Sequence, residues 1–382
     1  MTALPMAVVT TAHPWGDPRV FGRELAACLE WGLEVHLFAV APPAVGWRAE
    51  PGLRVHPLPV PEGRLSRLIW SLGVWREVLR HGPFRVVHFH DPELLPAMAV
   101  LRLVAPRTFM LFDIHEDLPL QFESKSYLAP WARQPMAILA GWALGIARRL
   151  FDGFAPATEA IARAWPPEST RVVHNYPKSL FSREAIQPDP CRVLYMGGLS
   201  RGRGIPLALS AVRIARRTLP GMRLELVGWV MEPEVGAAID AAVREGWCLH
   251  LPKLGAQDLA EHAAGAGIGL VTLLPQPNYL ESLPTKLFEY MALAIPVLAS
   301  DFPLWRRMLE ESGAGRVVRP EPEAVARALV AMATDPAALL RHARDGHAAY
   351  RDRYRWEAEA PNLRWHLVRG GALASRPLET TP

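Results

Sequence analysis

The sequence predicts an α/β protein made of two Rossmann-like domains, each with a doubly wound parallel sheet. Short apolar runs alternate with longer stretches of helical period along nearly the whole chain, which is typical of repeated βα units. With 382 residues and 50% hydrophobic content, the chain can bury two cores of ordinary size. The formal charge of +4 is small for this length, so nucleic acid is not indicated as a partner.

Eight segments have the apolar, turn-bounded character of buried strands. They are Ala7–Ala12, Glu34–Val40, Val86–Phe89, Phe109–Ile114, Arg192–Met196, Arg223–Val227, Ile268–Leu273 and Pro296–Ser300. Between the first two, Arg19–Trp31 is predicted to be an amphipathic helix that ends at Gly32. A strand-like segment at Arg171–His174 leads into a proline-rich stretch, after which the pattern restarts.

This restart predicts a first domain over residues 1–178 and a second over residues 190–352. Residues 353–382 contain a last helix, from Trp356 onward, and a polar tail. No repeat or low-complexity segment stands out.

The cysteines and the chain start bear on the compartment. Cys28, Cys191 and Cys248 are widely spaced and form no C-x-x-C pair, so neither a disulfide framework nor a zinc knuckle is indicated. The first residues lack a basic leader, and the longest apolar run, Pro135–Ala147, falls short of the ~20 residues that span a bilayer. We therefore expect a cytoplasmic protein.

A glycine-rich turn follows the strand that ends at Met196. Gly197-Gly-Leu-Ser-Arg-Gly-Arg-Gly204 comes directly before a predicted helix, Ile205–Thr218. Glycines at such a turn let the backbone approach a phosphate, and Arg201 and Arg203 add forked cationic donors. The spacing is not that of a dinucleotide fingerprint. A solvated turn without a ligand is the alternative.

Two carboxylates lie eight positions apart in Glu281-Ser-Leu-Pro-Thr-Lys-Leu-Phe-Glu289. Pro284 is expected at the first helical position, so the free N–H groups near it favour an anion. Acids on either side of an anion site suit a ligand with sugar at both ends and phosphate in the middle, such as a nucleotide-sugar. The alternative is a surface helix with routine charges.

Histidines cluster at two predicted strand ends. His88 and His90 share one face of a strand that leads to Asp91, and His115 follows another strand. The carboxyl ends of strands line the ligand crevice in doubly wound sheets. One interpretation is a metal site made by His88, His90, His115 and Asp117; the other is a sugar-binding site without metal.

The E-x7-E segment resembles that of retaining glycosyltransferases of family four, which have the GT-B fold. The resemblance covers most of the chain in family order. The other segments that carry it are His13-Pro-Trp-Gly-Asp-Pro-Arg-Val-Phe21, His88-Phe-His-Asp-Pro-Glu-Leu-Leu-Pro96, Asp113-Ile-His-Glu-Asp117 and Met196–Gly204. It implies two Rossmann-like domains facing a central cleft, and a last helix that crosses back onto the first domain.

The resemblance also implies roles for donor-binding residues. Glu289 would accept the ribose hydroxyls and Glu281 would hold the transferred sugar. Lys286 and the backbone of Leu283, Pro284 and Thr285 would complete the phosphate site, together with Gly16, Gly197, Gly198, Arg201 and Arg203.

On the acceptor side, His115 matches a histidine that touches the sugar near its reacting carbon. His90 and Asp91 would line the acceptor, while a structural role is favoured for His88. Arg19 would hold an anionic acceptor or phosphate, or form a structural ion pair. His115, Glu281 and Arg203 are therefore the candidate catalytic residues.

The chain departs from the family pattern at two positions. Gly198 stands where an arginine is common, and Arg203 where a lysine is common, which leaves open whether Arg201 substitutes for the missing charge. Ala294 stands where glycine usually ends the helix, so the helix must avoid a left-handed residue or accept slight strain.

The implied reaction moves a sugar from a nucleotide diphosphate to a polysaccharide or lipid-linked acceptor, with retention. No D-x-D occurs, so we expect no metal and no other cofactor. Two alternatives are a nucleotide-sugar 2-epimerase and a non-catalytic nucleotide-sugar binder. The base, the sugar, the acceptor and the oligomeric state are not readable from the sequence.

Two stretches, Ser66–Arg80 and Trp131–Arg149, mix Trp, Leu and Arg at helical spacing. Such helices can lie on an anionic surface, here the inner face of the membrane, and meet a lipid-linked acceptor. They can equally pack on the sheet with arginines at their rims.

Overall fold

A computed structural model describes residues 4–13, 15–40, 50–124, 128–179 and 187–375. Pro14, Lys125, residues 180–186 of the proline-rich stretch and residues 376–382 of the predicted tail lie outside the described residues, as do residues 1–3. The described chain forms two compact units. The first ends at Asn175 and resumes at Glu359, and the second runs from Tyr176 to Ala358. The boundaries given above at residues 178, 190 and 353 stay predictions.

The first unit contains a six-stranded, all-parallel sheet in the order β3-β2-β1-β4-β5-β6. The strands are β1 Met6–Val9, β2 Val35–Val40, β3 Leu53–Leu58, β4 Val86–Phe89, β5 Phe109–Ile114 and β6 Gly153–Pro156. The helices are a π-helix at Val20–Leu25 that continues as α1 Ala26–Glu30, then α2 Arg64–Ser71, α3 Val74–His81, α4 Leu95–Val104, α5 Leu118–Ser124, α6 Pro130–Leu150 and α7 Glu159–Ala162, with 3₁₀ turns at Pro92–Leu94 and Pro167–Ser169. The central strands β1 and β4 are buried throughout, as expected for parallel strands covered on both faces.

The second unit repeats this plan with the order β12-β11-β10-β7-β8-β9, again all parallel. Its strands are β7 Asp189–Met196, β8 Arg223–Val227, β9 Cys248–Leu251, β10 Ala266–Val271, β11 Val297–Ser300 and β12 Gly315–Val318. Its helices are α8 Ile205–Ala215, α9 Pro233–Arg244, α10 Ala256–Ala263, α11 Pro277–Leu280, α12 Thr285–Ala292, α13 Pro303–Ser312, α14 Pro322–Ala333 and α15 Pro336–Asp352. The strand order reverses between β7 and β10, and the crevice at such a point is where doubly wound sheets bind ligands.

Proline begins many of these helices, including α6, α9, α13 and α14. Its fixed φ suits the first helical position, where the missing N–H costs no hydrogen bond. Part of the chain's high proline content therefore marks helix starts.

The last helix, α16 Trp356–Arg369, lies mostly in the first unit. Leu363, His366 and Leu367 on it are fully buried, and the carboxylate of Glu359 accepts the backbone N–H of His174 at 3.0 Å. At its end, Gly370 packs so closely that a Cβ there would lie 2.7 Å from Val86 Cγ2.

The structure confirms the two-sheet α/β prediction and corrects several details. Four strands, β3, β6, β9 and β12, were not predicted; each lies at an edge of its sheet and lacks the long apolar run that marked the predicted strands. Arg171–His174 is extended beside β6 but forms no regular strand. The helix predicted over Arg19–Trp31 begins with the π-turn, and the one predicted over Ser66–Arg80 is two helices separated at Gly73.

Two corrections concern the E-x7-E helix. Pro284 precedes the helix instead of starting it, since α12 begins at Thr285. After α12, Ala294 adopts a φ of 54°, the one non-glycine residue with positive φ among those described. Of the two outcomes considered for Ala294, the helix end therefore takes the strained one.

Candidate active site

The turn after β7 is the centre of the second unit's candidate site. Gly197 has a φ of 112° and Gly204 one of 77°, both in the region that favours glycine. A Cβ on Gly204 would lie 1.8 Å from the carbonyl oxygen of Thr272, so the turn packs directly on the segment after β10. Only glycine fits there, which explains why the sequence repeats it in this turn.

Two cationic side chains converge on this turn. A Cβ on Gly197 would lie 3.7 Å from Lys286 Nζ and 3.8 Å from an Arg203 guanidinium nitrogen. Lys286 is buried and donates a hydrogen bond from Nζ to the Tyr195 hydroxyl at 2.6 Å. Burial, reinforced by the nearby charge of Arg203, holds the pKa of Lys286 well below its usual range. An anion at this turn would therefore relieve the repulsion.

The space that a side chain at position 198 would enter is occupied by the ends of three other side chains. A Cβ there would lie 2.9 Å from Met231 Sδ, 3.0 Å from an Arg203 guanidinium nitrogen and 3.2 Å from Trp229 Cζ2. The Arg203 side chain therefore lies next to Gly198, the position at which the family pattern commonly has an arginine. Arg201 is exposed, and its backbone N–H donates to the Glu232 carboxylate at 3.2 Å.

The loop between α11 and α12 is fixed in place through Ser282. Its carbonyl oxygen accepts a hydrogen bond from Trp305 Nε1 at 2.8 Å, and its hydroxyl donates to the carbonyl of Tyr279 at 3.0 Å. Glu281 is exposed at the start of this loop, with Leu283, Pro284 and Thr285 half-buried after it. The helix α12 then carries Lys286 and, three residues later, the half-buried Glu289.

In the first unit, Arg19 lies at the centre of a buried ion network. Its guanidinium donates to both oxygens of Asp113 and to the carbonyl of Val173 at 2.7 Å, and its Nε lies 3.0 Å from Glu24 Oε1. Arg19 is only 2% exposed. Of the two roles considered for Arg19, the structural ion pair is the one observed.

Asp113 also orients two histidines. Its Oδ2 lies 2.6 Å from His115 Nε2 and 2.8 Å from His90 Nδ1. Although burial disfavours its charge, Arg19 and His115 hold the pKa of Asp113 well below its usual range, so it remains a carboxylate. His115 is the partly exposed member, with 24% of its side chain accessible, whereas His90 is fully buried.

Asp91 is likewise internal and shapes the loop after β1. Its carboxylate accepts hydrogen bonds from the Thr10 hydroxyl at 2.8 Å and from the Thr11 backbone, and it lies 3.1 Å from His13 Nδ1. Burial lowers the pKa of His13, but Asp91 outweighs that effect and raises it overall. The His13 ring lies 4.6 Å from that of His115.

Sequence reasoning gave no role to His13, Glu24 or Asp113. His13 and Asp113 lay inside quoted motifs, so their histidine and aspartate chemistry was a usable signal. Glu24 lies within a helical pattern, and the sequence around it contained no signal of a functional role. Gly16 has a φ of 81° and is exposed, and Asp17 beside it accepts the backbone N–H groups of Arg19 and Val20.

The grouping with metal-ligand geometry differs from the one predicted. Among the described residues, it comprises Glu24, His88, His90 and Asp113, all buried, with ligand atoms within 4.8 Å of one another. Asp117 is elsewhere and accepts the backbone N–H of Leu120 at 3.0 Å. Arg19 supplies one positive charge beside Asp113, while burial and the Asp113 charge raise the pKa of Glu24 well above its usual range and favour its uncharged form.

The chain has two doubly wound units, and a glycine turn lined by cations follows the first strand of the second unit. These features are characteristic of the GT-B class of glycosyltransferase. A sequence model described as glycosyl transferases group 1 matches residues 190–335, and one described as a glycosyl transferase 4-like domain matches residues 18–176. Together they cover most of the chain. The chain belongs to the group 1 glycosyltransferases and is a glycosyltransferase.

Named relatives and solved structures agree with this. The phosphatidyl-myo-inositol mannosyltransferase of Mycobacterium tuberculosis is 26% identical over 352 residues, covering 86% of this chain and 87% of the relative. The Mycobacterium leprae protein of that name is 26% identical over 344 residues, covering 87% of each.

Sucrose-phosphate synthase from Thermosynechococcus elongatus superposes with a TM-score of 0.75 at 18% identity, covering 96% of this chain and 99% of that one. Anabaena HepE, solved with UDP and glucose, gives a TM-score of 0.71 at 15% identity, covering 96% and 100%. At these identities the structural likeness shows the fold.

Proposed function

We propose that this glycosyltransferase moves a sugar, with retention of configuration and without a metal, from a nucleoside diphosphate sugar to a lipid-linked or polysaccharide acceptor. The observation that carries the proposal is the convergence of Arg203 and Lys286 on the Gly197–Gly198 turn. Two cationic side chains that lie beside the same glycine turn favour an anion as their ligand.

The donor is assigned along the E-x7-E segment. The diphosphate would contact Arg203, Lys286 and the backbone near Thr285, the ribose would contact Glu289, and Glu281 would hold the transferred sugar. A related fold has been solved with UDP and glucose, which supports a nucleotide-sugar here. Arg201, being exposed, is a weaker candidate for the diphosphate than Arg203.

In this reaction the anomeric C–O bond breaks, the ring gains oxocarbenium character and negative charge develops on the departing diphosphate. Arg203 and Lys286 are already in place to stabilise that charge, so no reorganisation is needed. Retention follows if the acceptor attacks from the face that the diphosphate leaves, with a phosphate oxygen taking the acceptor's proton. His115, oriented by Asp113, would contact the sugar and needs no role as a base.

Metal independence is part of the proposal. Arg203 and Lys286 lie at the turn proposed to bind the diphosphate, and in the first unit Arg19 pairs with Asp113 while burial favours the uncharged form of Glu24. Transfer that survives dialysis against EDTA supports this, and transfer that needs added Mg²⁺ or Mn²⁺ contradicts it.

The acceptor is proposed to be presented at a membrane surface. No helix among the described residues is long and apolar enough to cross a membrane. However, α6 exposes an apolar face, called here the α6 face, made of Trp131, Ile138, Leu139, Trp142 and Ile146, whose exposures range from 55% to 81%. Arginines end the helix, which suits anionic lipid, and the mannosyltransferase relatives are named for a phosphatidylinositol. We place the reaction at the inner face of the membrane, on the cytoplasmic side.

Vesicle sedimentation tests this surface. Changing Trp131 and Trp142 together to serine should release the protein from phosphatidylglycerol vesicles, while Leu249→Ser, an exposed site on β9, should not. Equal sedimentation of both variants would rule out the α6 face as the docking surface.

The donor proposal is tested by thermal shift with UDP-, GDP- and ADP-sugars, followed by anomeric analysis of the product by NMR. One donor class should stabilise the protein, and Glu289→Ala should abolish the shift. An unchanged shift would show that the ribose contact is misassigned. Sugar epimerised without acceptor would indicate the epimerase, and donor binding without any turnover would indicate a non-catalytic binder.

A further inference from the structure

Two apolar side chains stand open to solvent beside the cations of the second unit. Trp229 and Met231, from the segment after β8, are 49% and 52% exposed. Both lie against the position that a Cβ of Gly198 would take, at 3.2 Å and 2.9 Å, on the side where Arg203 also lies. We call this pair the apolar shelf.

The apolar shelf is held rigidly by the backbone. The Trp229 carbonyl accepts the N–H of Leu199 at 2.8 Å, and the Met231 N–H donates to the carbonyl of Leu199 at 2.9 Å. Before them, Gly228 has a φ of 154°, and a Cβ on it would lie 1.9 Å from the Gly197 carbonyl oxygen. The segment is therefore tied to the anion turn and cannot move independently of it.

Burial does not explain these side chains. A tryptophan that served only the core would be covered, yet Trp229 leaves half its surface in water next to charged groups. Its ring has one further cation near it, Lys253, whose Nζ lies 5.9 Å from the ring centroid. A planar, rigid surface bordered by Arg203 and Lys253 suits a planar group that is linked through a sugar to a phosphate.

The position of the apolar shelf in the sheet indicates which part of a bound donor could contact it. Glu281 and the loop before α12 lie on the β10 side of the turn, where the proposed sugar contacts are. Trp229 and Lys253 follow β8 and β9, on the opposite side of β7. A ligand with its diphosphate at Gly197, its sugar at Glu281 and its ribose at Glu289 therefore has its base left to extend toward β8 and β9.

We propose that the apolar shelf binds the nucleobase of the donor by stacking on the Trp229 indole, with Met231 packed beside it. The inference rests on the proposed function, because it needs a nucleotide at the anion turn. The Trp229 side chain would then recognise the base. Gly198 would also have a second role, because a larger residue at that position would displace both Met231 and Trp229.

Calorimetric titration separates the parts of the ligand. UDP, GDP, ADP and inorganic pyrophosphate are titrated into the wild-type protein and into Trp229→Ala, Trp229→Phe and Trp229→Leu. Stacking on an aromatic ring predicts that Trp229→Ala weakens the preferred nucleoside diphosphate by about tenfold or more. The affinity of Trp229→Ala for pyrophosphate should equal that of the wild-type protein. Trp229→Phe should keep most of the nucleotide affinity, and Trp229→Leu should not.

The other outcomes overturn the inference in distinguishable ways. Nucleotide affinity unchanged in Trp229→Ala, or restored equally by Leu, would mean that no base stacks there. An equal loss of pyrophosphate affinity would mean that Trp229 only supports the anion turn. A rise in KM for the nucleotide-sugar with UDP or GDP affinity unchanged would place the sugar on the shelf. If the wild-type protein binds no nucleotide at all, the proposed function itself fails.

Discussion

Replacing Lys286 with methionine should move stability and ligand affinity in opposite directions. Lys286 is 7% exposed, and its ammonium group has the Tyr195 hydroxyl as a neutral partner, with Arg203 nearby. A cation held there lowers the stability of the unliganded protein, because burial and the Arg203 charge both disfavour it. Methionine has a similar length and no charge.

The magnitudes follow from these contacts. Exchanging a buried charge for a well-packed apolar side chain stabilises proteins by about 1–4 kcal/mol, and the lost hydrogen bond to Tyr195 costs about 1 kcal/mol. The free energy of unfolding of Lys286→Met should therefore range from unchanged to about 3 kcal/mol higher. The diphosphate loses a charge-assisted hydrogen bond of about 1.5–3 kcal/mol, so its affinity should fall roughly 10- to 150-fold.

Urea unfolding measures the first quantity and titration with UDP or GDP the second. Tyr195→Phe is the matched control, since it removes the hydroxyl partner and keeps the charge. It should leave nucleotide affinity nearly unchanged. A destabilised Lys286→Met protein with wild-type nucleotide affinity would refute the reasoning, because Lys286 would then be a structural residue.

Three further predictions concern charge and backbone strain. Nucleotide affinity should fall as pH rises through the lowered pKa of Lys286, because binding must then take up a proton, and titration in buffers of different ionisation enthalpy should detect that uptake. Asp113→Asn should cost about 3–5 kcal/mol at pH 7, because buried Arg19 then keeps only Glu24, whose charged form burial disfavours, while Glu77→Gln, from an exposed pair with Arg80, should change stability by less than about 1 kcal/mol. Because the pKa of Asp113 is lowered in the folded state, its contribution is present above the unfolded pKa of about 4 and is lost as pH falls further, so acid unfolding of Asp113→Asn should be less steep. Ala294→Gly should raise the free energy of unfolding by up to about 1 kcal/mol by relieving the positive φ; a decrease would show that the strain is absent.

The two sheets could be predicted, and a donor segment proposed, because their signals are local. Strand–turn–helix patterns and the glycines of 197–204 lie in consecutive residues, and the close approach of Gly204 to Thr272 is the physical reason for one of those glycines. The strands β9 and β12 were missed because they lie at the edges of the sheet and are only partly buried, so they lack the continuous apolar run of the central strands.

The buried network of the first unit could not be predicted in the same way. Arg19 and Asp113 are 94 residues apart, and their pairing depends on β1 and β5 each flanking β4 in the sheet. The sequence suggested that His90, Asp91 and Arg19 were available to a ligand. Packing buries all three and gives each at least one internal partner, whereas His115 stays partly exposed.

By itself, the sequence determined the class of fold and the family and indicated the segment proposed to hold the donor, since these depend on the order of residue types along the chain. Only the tertiary structure decided that Arg203 fills the space beside Gly198, that Lys286 is buried against Tyr195 and that Arg19 is an internal ion pair. The reason is that burial and charge pairing depend on distances between strands, and one-dimensional spacing does not encode those distances.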